Sequence, residues 1–228
     1  MPPRALLLDF YGTLVEEDGD AIVRICSRIA AASPLGETPA TVAAYWGPLF
    51  GRLCAESYGP AFRTQRQLLR ASLEDVLQHF QCPLGAGALC SILEEYWVHP
   101  TLFPETRAVL AQCNLPICLV SNIDQADLQA ALEHTGLQFP MAVTSADCRA
   151  YKPRAEMFQA ALAALGLPPH EVLHVGDSLG SDVRGARALG IPTLWINRRG
   201  KPLPAGDGAP DYVAADLNGL LDILRRDG

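Results

Sequence analysis

The sequence predicts an α/β fold: a doubly wound parallel sheet, interrupted after its first strand by a block of helices. Three observations carry this. Short apolar runs without alternation recur along the chain, the mark of strands buried on both faces. From Thr101 onward, helix-like segments separate these runs, the pattern of repeated strand–helix units. The stretch from Glu16 to His99 contains no such run and carries apolar residues at helical spacing instead.

Taken in order, "RALLLDF" (4–10) is the first strand and delivers Asp9 to a Gly-Thr turn. Four helices follow, in "GDAIVRICSRIAAAS" (19–33), "TPATVAAYWGPLFGRLCAESYG" (38–59), "FRTQRQLLRASLEDVLQHF" (62–80) and "GAGALCSILEEYW" (85–97). The Gly/Pro clusters "SPLGETP", "YGP" and "QCPLGAG" separate them. Glu16 to Asp20 reads as the outgoing hinge and "HPTLFPE" (99–105) as the return, with Pro104 opening the next helix. Strands are then expected in "PICLVSN" (116–122), "MAVTSA" (141–146), "EVLHVGD" (171–177) and "PTLWIN" (192–197). Helices fall at about 124–136, 154–166, 180–190 and 216–226. "DYVAADL" adds a short edge strand, and "RRGKPLPAGDGAP" (198–210) reads as a surface loop. The expected division is therefore a Rossmann-like core of residues 1–15 and 100–228 and a helical cap of residues 16–99.

Composition fits a packed globular chain: 228 residues, 49% apolar and 19% charged. The net charge is −7 and the basic residues are scattered, which argues against nucleic acid or an anionic membrane as partner. A small anionic molecule is the expected partner, and oligomeric state is not readable. The seven cysteines form no CxxC pair and are odd in number, so reduced thiols and a cytoplasmic location are expected. The N-terminal apolar run is too short for a secretory signal, and no run approaches the ~18 residues of a membrane span.

In a doubly wound sheet, ligands sit beyond the carboxyl ends of the strands. Asp9, Ser121-Asn122 and Asp177 are the polar residues at those ends. Any one of them could be a helix cap. Three together, with Lys152 in "YKP", make a site.

"DFYGTL" (9–14), "VSN" (120–122), "YKP" (151–153) and "VGDSLGSDVRGARALG" (175–190) resemble, in this order, the four motifs of the haloacid dehalogenase-like superfamily. The long gap between the first two resembles the subfamily with a four-helix cap. The resemblance implies a hydrolase with Asp9 as nucleophile and a covalent aspartyl intermediate. It implies that Gly12 and Thr13 offer turn N–H groups to an anion, and that Ser121, the backbone near Asn122 and Lys152 hold substrate oxygens. It further implies a Mg²⁺ site from Asp9, the Tyr11 carbonyl, Asp177 and Asp182. For Asp182 a helix-capping role is the alternative.

Tyr11 departs from the pattern, since phosphatases of the superfamily usually carry a second Asp there. That acid protonates the leaving group, help worth about 10²–10⁴-fold. The 2-haloacid dehalogenases, whose halide needs no proton, resemble "DxYGT". They also carry a Tyr where this chain has Phe158 and a "WR" where it has Trp46-Gly47, and they lack the acid at Asp177. The expected activity is a Mg²⁺-dependent phosphatase of a small phosphorylated metabolite. A dehalogenase-like hydrolase and a non-catalytic phosphate binder are the alternatives. Arg24, Tyr58, Arg63 and Arg66 of the cap could greet an anionic substrate, or be solvated.

Overall fold

The computed structural model describes residues 2–203 and 208–227. Residues 204–207 of the expected 198–210 loop lie outside the described residues. Six strands form one sheet: β1 (Ala5–Leu8), β2 (Ile117–Ser121), β3 (Met141–Thr144), β4 (Val172–Gly176), β5 (Thr193–Ile196) and β6 (Tyr212–Ala214). All pair in parallel, in the order β3-β2-β1-β4-β5-β6. This is the doubly wound arrangement, and β1 sits at its switch point between β2 and β4.

Continuous apolar strands are explained by two covered faces. Ala5 and Leu7 turn with Cys118, Val120 and Val172 toward Met157, Phe158 and Ala161 of α8 (Ala155–Leu165) and Ala186 of α9 (Arg184–Arg187). Leu6 and Leu8 turn the other way. There they join a cluster with Val109 of α5 (Thr106–Gln112), Leu128 of α6 (Gln125–Thr135) and Leu220 of α10 (Asn218–Asp227). Each such aliphatic side chain contributes about 1.5–3 kcal/mol on burial.

Between β1 and α5 the chain makes four helices: α1 (Gly19–Ala32), α2 (Pro39–Glu56), α3 (Gln65–His79) and α4 (Ala86–Val98). Neighbours pack in a ring, α1 on α2, α2 on α3, α3 on α4 and α4 back on α1. Thr64 starts α3 with a reciprocal cap, its hydroxyl accepting from Gln67 N at 3.3 Å and its N–H donating to Gln67 Oε1 at 2.9 Å. The outgoing and returning connections lie side by side, Glu16 N on Thr101 O at 2.8 Å and Phe103 N on Leu14 O at 3.2 Å.

Three expected elements differ. The strand of 141–146 stops at Thr144, whose hydroxyl and N–H engage Asp147 and begin the short helix α7 (Ser145–Cys148). The helix after Pro104 begins at Thr106, two residues late. The helix of 180–190 is instead a wide turn, Leu179–Val183, followed by α9. In that turn Val183 N reaches back five residues to Ser178 O at 3.1 Å. The wide turn points Asp182 into the protein, where it is 1% exposed. No helix among the described residues is long and apolar enough to cross a membrane.

Candidate active site

The strand register places Asp9 just beyond β1, its N–H donating to Val175 O at 2.9 Å. The chain then turns sharply, with the N–H groups of Thr13, Leu14 and Val15 all donating to Phe10 O. Gly12 takes φ +86° in this turn, and a Cβ there would stand 2.6 Å from the Asp177 carboxyl carbon. Glycine is therefore required twice over, for the backbone and for the approach of Asp177.

Lys152 ties the site together. Its Nζ donates to Asp9 Oδ1 at 2.6 Å, Asp182 Oδ1 at 2.7 Å and Val120 O at 2.7 Å. Burial favours the neutral amine, but Asp182 and Asp9 outweigh it and hold Lys152 above the ordinary lysine range. Asn122 fixes the lysine's backbone from both sides, accepting from Lys152 N at 2.7 Å and donating to Lys152 O at 3.2 Å. Below the lysine, His174 Nε2 lies 3.0 Å from Asp182 Oδ1, and Ser178 N donates to Asp182 Oδ2 at 3.0 Å. Burial alone would raise the Asp182 carboxyl. Lys152 and His174 instead hold it well below the usual carboxylate range.

Asp9, Asp177 and Asp182 offer carboxylate oxygens within 4.8 Å of one another. Burial pushes the Asp177 carboxyl up to about 9, and the nearby carboxylates of Asp9, Asp182 and Glu17 add to it. Asp9 is raised as well, by burial first, against the opposing pull of Lys152. Three carboxylates around one ammonium leave two formal negative charges without a counter-charge. No described residue donates to the Tyr11 carbonyl. A divalent cation with oxygen donors fits this set. Asp177 and the Tyr11 carbonyl would hold it, together with the remaining lone pairs of Asp9, whose Oδ1 accepts from Lys152 and Oδ2 from Thr13. Asp182 is the more heavily engaged, with Lys152 and His174 on Oδ1 and Ser178 N on Oδ2, which leaves it better fitted to anchor Lys152.

The expected residues thus converge, with two corrections of detail. The Gly12 and Thr13 N–H groups are not offered to an anion, because they donate within the turn to Val15 O at 2.7 Å and Phe10 O at 3.3 Å. The Thr13 hydroxyl donates instead to Asp9 Oδ2 at 3.1 Å. The Asn122 side chain is spent on Lys152, while Ser121 stays buried at the end of β2. The cap arginines do not gather at Asp9. Arg24 is exposed, Arg63 binds Gln67 O, and Arg66 pairs with Asp127 at 2.6 Å and Glu94 at 2.8 Å. Tyr58 lies under the Arg154 guanidinium at 3.7 Å.

Tyr11 turns away from chemistry. Its hydroxyl donates to the carbonyl of Trp97 at the end of α4. Burial, with Asp127 nearby, pushes its ionisation far above the ordinary tyrosine value. Phe158 stands edge-on to His174, centroids 5.1 Å apart, and Trp46 donates its indole N–H to Ser72 at 2.9 Å. Sequence reasoning missed His174 and Glu17. A lone histidine inside the apolar run "EVLHVG" was the available signal for the first.

The model of the haloacid dehalogenase-like hydrolase family matches residues 3–190. A phosphoserine phosphatase of Thermus thermophilus is 34% identical over 125 residues, 51% of this chain and 48% of that protein. An (S)-2-haloacid dehalogenase of a Pseudomonas species is 29% identical over 123 residues, 53% of each chain. The chain therefore spans about half the length of these two relatives. The crystal structure of an L-2-haloacid dehalogenase superposes with a TM-score of 0.80 at 26% identity, covering 99% of this chain and all of that one.

Proposed function

The chain belongs to the haloacid dehalogenase-like hydrolases, and on that basis we propose that it is a Mg²⁺-dependent phosphatase of small phosphorylated molecules. The carboxylate cluster is the observation that supports it. Displacement of halide by Asp9 needs no second acid at the nucleophile, whereas Asp177 stands beside Asp9 at a cost in repulsion. A bound Mg²⁺ would relieve that cost and neutralise charge on the phosphoryl group.

The reaction follows from the residues. Asp9 attacks phosphorus and the ester bond to the leaving oxygen breaks. Lys152 holds Asp9 in place and offsets negative charge as it moves onto the phosphoryl oxygens. Thr13 fixes the other carboxylate oxygen. Water then attacks the aspartyl phosphate, releasing inorganic phosphate and the Asp9 carboxylate. The α1–α4 bundle, as a cap, excludes bulk water. Tyr11 supplies no proton to the leaving group, because its hydroxyl is held by Trp97. Acidic leaving groups should therefore be favoured, and alkyl phosphates should lag by about 10²–10⁴-fold.

The test is an assay of p-nitrophenyl phosphate beside 2-chloropropionate, with MgCl₂ and with EDTA. Turnover of the phosphate ester that EDTA abolishes is expected. Release of chloride indifferent to EDTA, with no phosphate release, would establish the dehalogenase instead.

The metal has a stability signature too. Asp177 is raised in the fold, so its ionised form opposes folding as pH rises toward 9. Asp177→Asn should raise the Tm of the metal-free protein at pH 7.5, by roughly 2–4 °C per kcal/mol of repulsion relieved. Mg²⁺ at about a hundred times its Kd should raise the wild-type Tm by roughly 5–10 °C and the variant's scarcely at all. Equal Mg²⁺ shifts in both proteins would remove Asp177 from the metal site.

A further inference from the structure

A second cavity lies within the inserted bundle. It encloses about 120 Å³ and carries walls from Ile22, Trp46, Phe50, Leu69, Leu93 and Trp97. Apolar cavities of roughly 150 Å³ take up one benzene ring, so this one suits a single small ring. Two polar groups face it, Asp18 and Gln65. The buried Gln65 Oε1 has no hydrogen-bond partner. Such an acceptor costs free energy until a donor reaches it. The Trp46 indole N–H is committed to Ser72, and no donor of the cavity wall reaches Gln65 Oε1. A guest must therefore bring the donor itself.

The cavity is joined to the catalytic loops. The Trp97 carbonyl accepts from Tyr11, two residues beyond Asp9. The Gln65 backbone N–H donates at 2.9 Å to Asp124, three residues beyond Ser121. Both loops that frame Asp9 are thus hydrogen-bonded to the cavity wall.

We propose that this cavity receives the leaving group of the substrate and selects an aromatic group bearing one hydrogen-bond donor, a hydroxyl or an amine. The substrate class is then an aryl phosphate or a close analogue, which rests on the phosphatase reading above. The proposal agrees with Tyr11, since an aryl oxide is a leaving group that departs without an acid.

The test compares 4-aminophenyl phosphate with 4-methylphenyl phosphate, which are nearly equal in shape and in leaving-group acidity. One recovered hydrogen bond predicts about a tenfold preference in kcat/KM for the amine. Gln65→Leu should erase that preference, because it removes the acceptor but keeps the backbone N–H on Asp124. Ala43→Phe, from the same cavity wall, should lower kcat/KM for both aryl esters at least tenfold further than for acetyl phosphate. No preference between the two esters, or an equal loss on all three substrates, overturns the proposal. If none of the three is hydrolysed, the phosphatase reading fails, and the cavity is then judged by binding alone. Quenching of tryptophan fluorescence by 4-methylphenol in preference to toluene, which has no donor, lost in Ala43→Phe, supports it; quenching by neither, or by both alike, refutes it.

Discussion

Asp9→Asn is expected to abolish turnover, lowering kcat by at least ~10⁴-fold, the scale on which removal of a covalent nucleophile acts. An amide oxygen is a poor nucleophile, and no other described side chain stands where Asp9 does. Asp177 is held beneath the turn against Gly12, and Asp182 is enclosed by Lys152, His174 and Ser178. The variant should nevertheless fold. Lys152 keeps Asp182 and the Val120 carbonyl as partners. The direction of the Asp9 shift adds to this. A carboxyl raised in the fold is destabilising when ionised, so a neutral asparagine at neutral pH removes a cost. The expected outcome is a Tm at or above wild type with no activity. A variant that keeps a tenth of wild-type kcat would remove Asp9 from the chemistry, and one that fails to fold would mean that Lys152 depends on Asp9 far more than its other bonds suggest.

Much of this arrangement was legible in the sequence, for a physical reason. Asp9, Ser121 and Asp177 follow apolar runs, and a parallel sheet buried on both faces delivers the ends of such runs to one edge. Lys152 could be tied to them only by the order of the motifs, since nothing local shows that its ammonium is buried. The wide turn at Leu179–Val183 was not legible. Its local pattern is helical, and its shape answers to Lys152 and His174, which are distant in sequence. The same holds for Tyr11. The sequence shows a missing acid, but only the fold shows the hydroxyl committed to Trp97. In the sequence Asp18 falls in the outgoing hinge and Gln65 inside the helical segment 62–80, whereas in the structure Gln65 is the first residue of α3. Their second role depends on how four helices close around a gap, which no local spacing encodes. The arginines were the opposite case: conspicuous in sequence, and found tied to carboxylates or facing solvent.

Lys152→Met should be the most destabilising change in the site. The side chain is 2% exposed, and its removal leaves Asp9 and Asp182 buried without their cation. Breaking a buried ion pair costs about 3–5 kcal/mol, since an uncompensated charge remains. For a chain of this length that predicts a Tm lower by roughly 6–20 °C. The loss should depend on pH, with a definite sign. In the wild type, Lys152 and His174 hold Asp182 below its unfolded value. It therefore contributes stability above the ordinary carboxylate range, which is lost only in strong acid. Without Lys152 the same carboxyl rises, so its ionised form opposes folding and protonation relieves the strain. The Tm gap between variant and wild type should thus be widest near pH 8 and narrow toward pH 5. Adding Asp182→Asn to Lys152→Met should recover much of the Tm, because one orphaned charge is gone. It should recover no activity, because Asp9 still lacks its cation. A gap that stays constant across this pH range, or a double variant no more stable than the single one, would mean that Lys152 stabilises the fold by packing its methylenes rather than by charge.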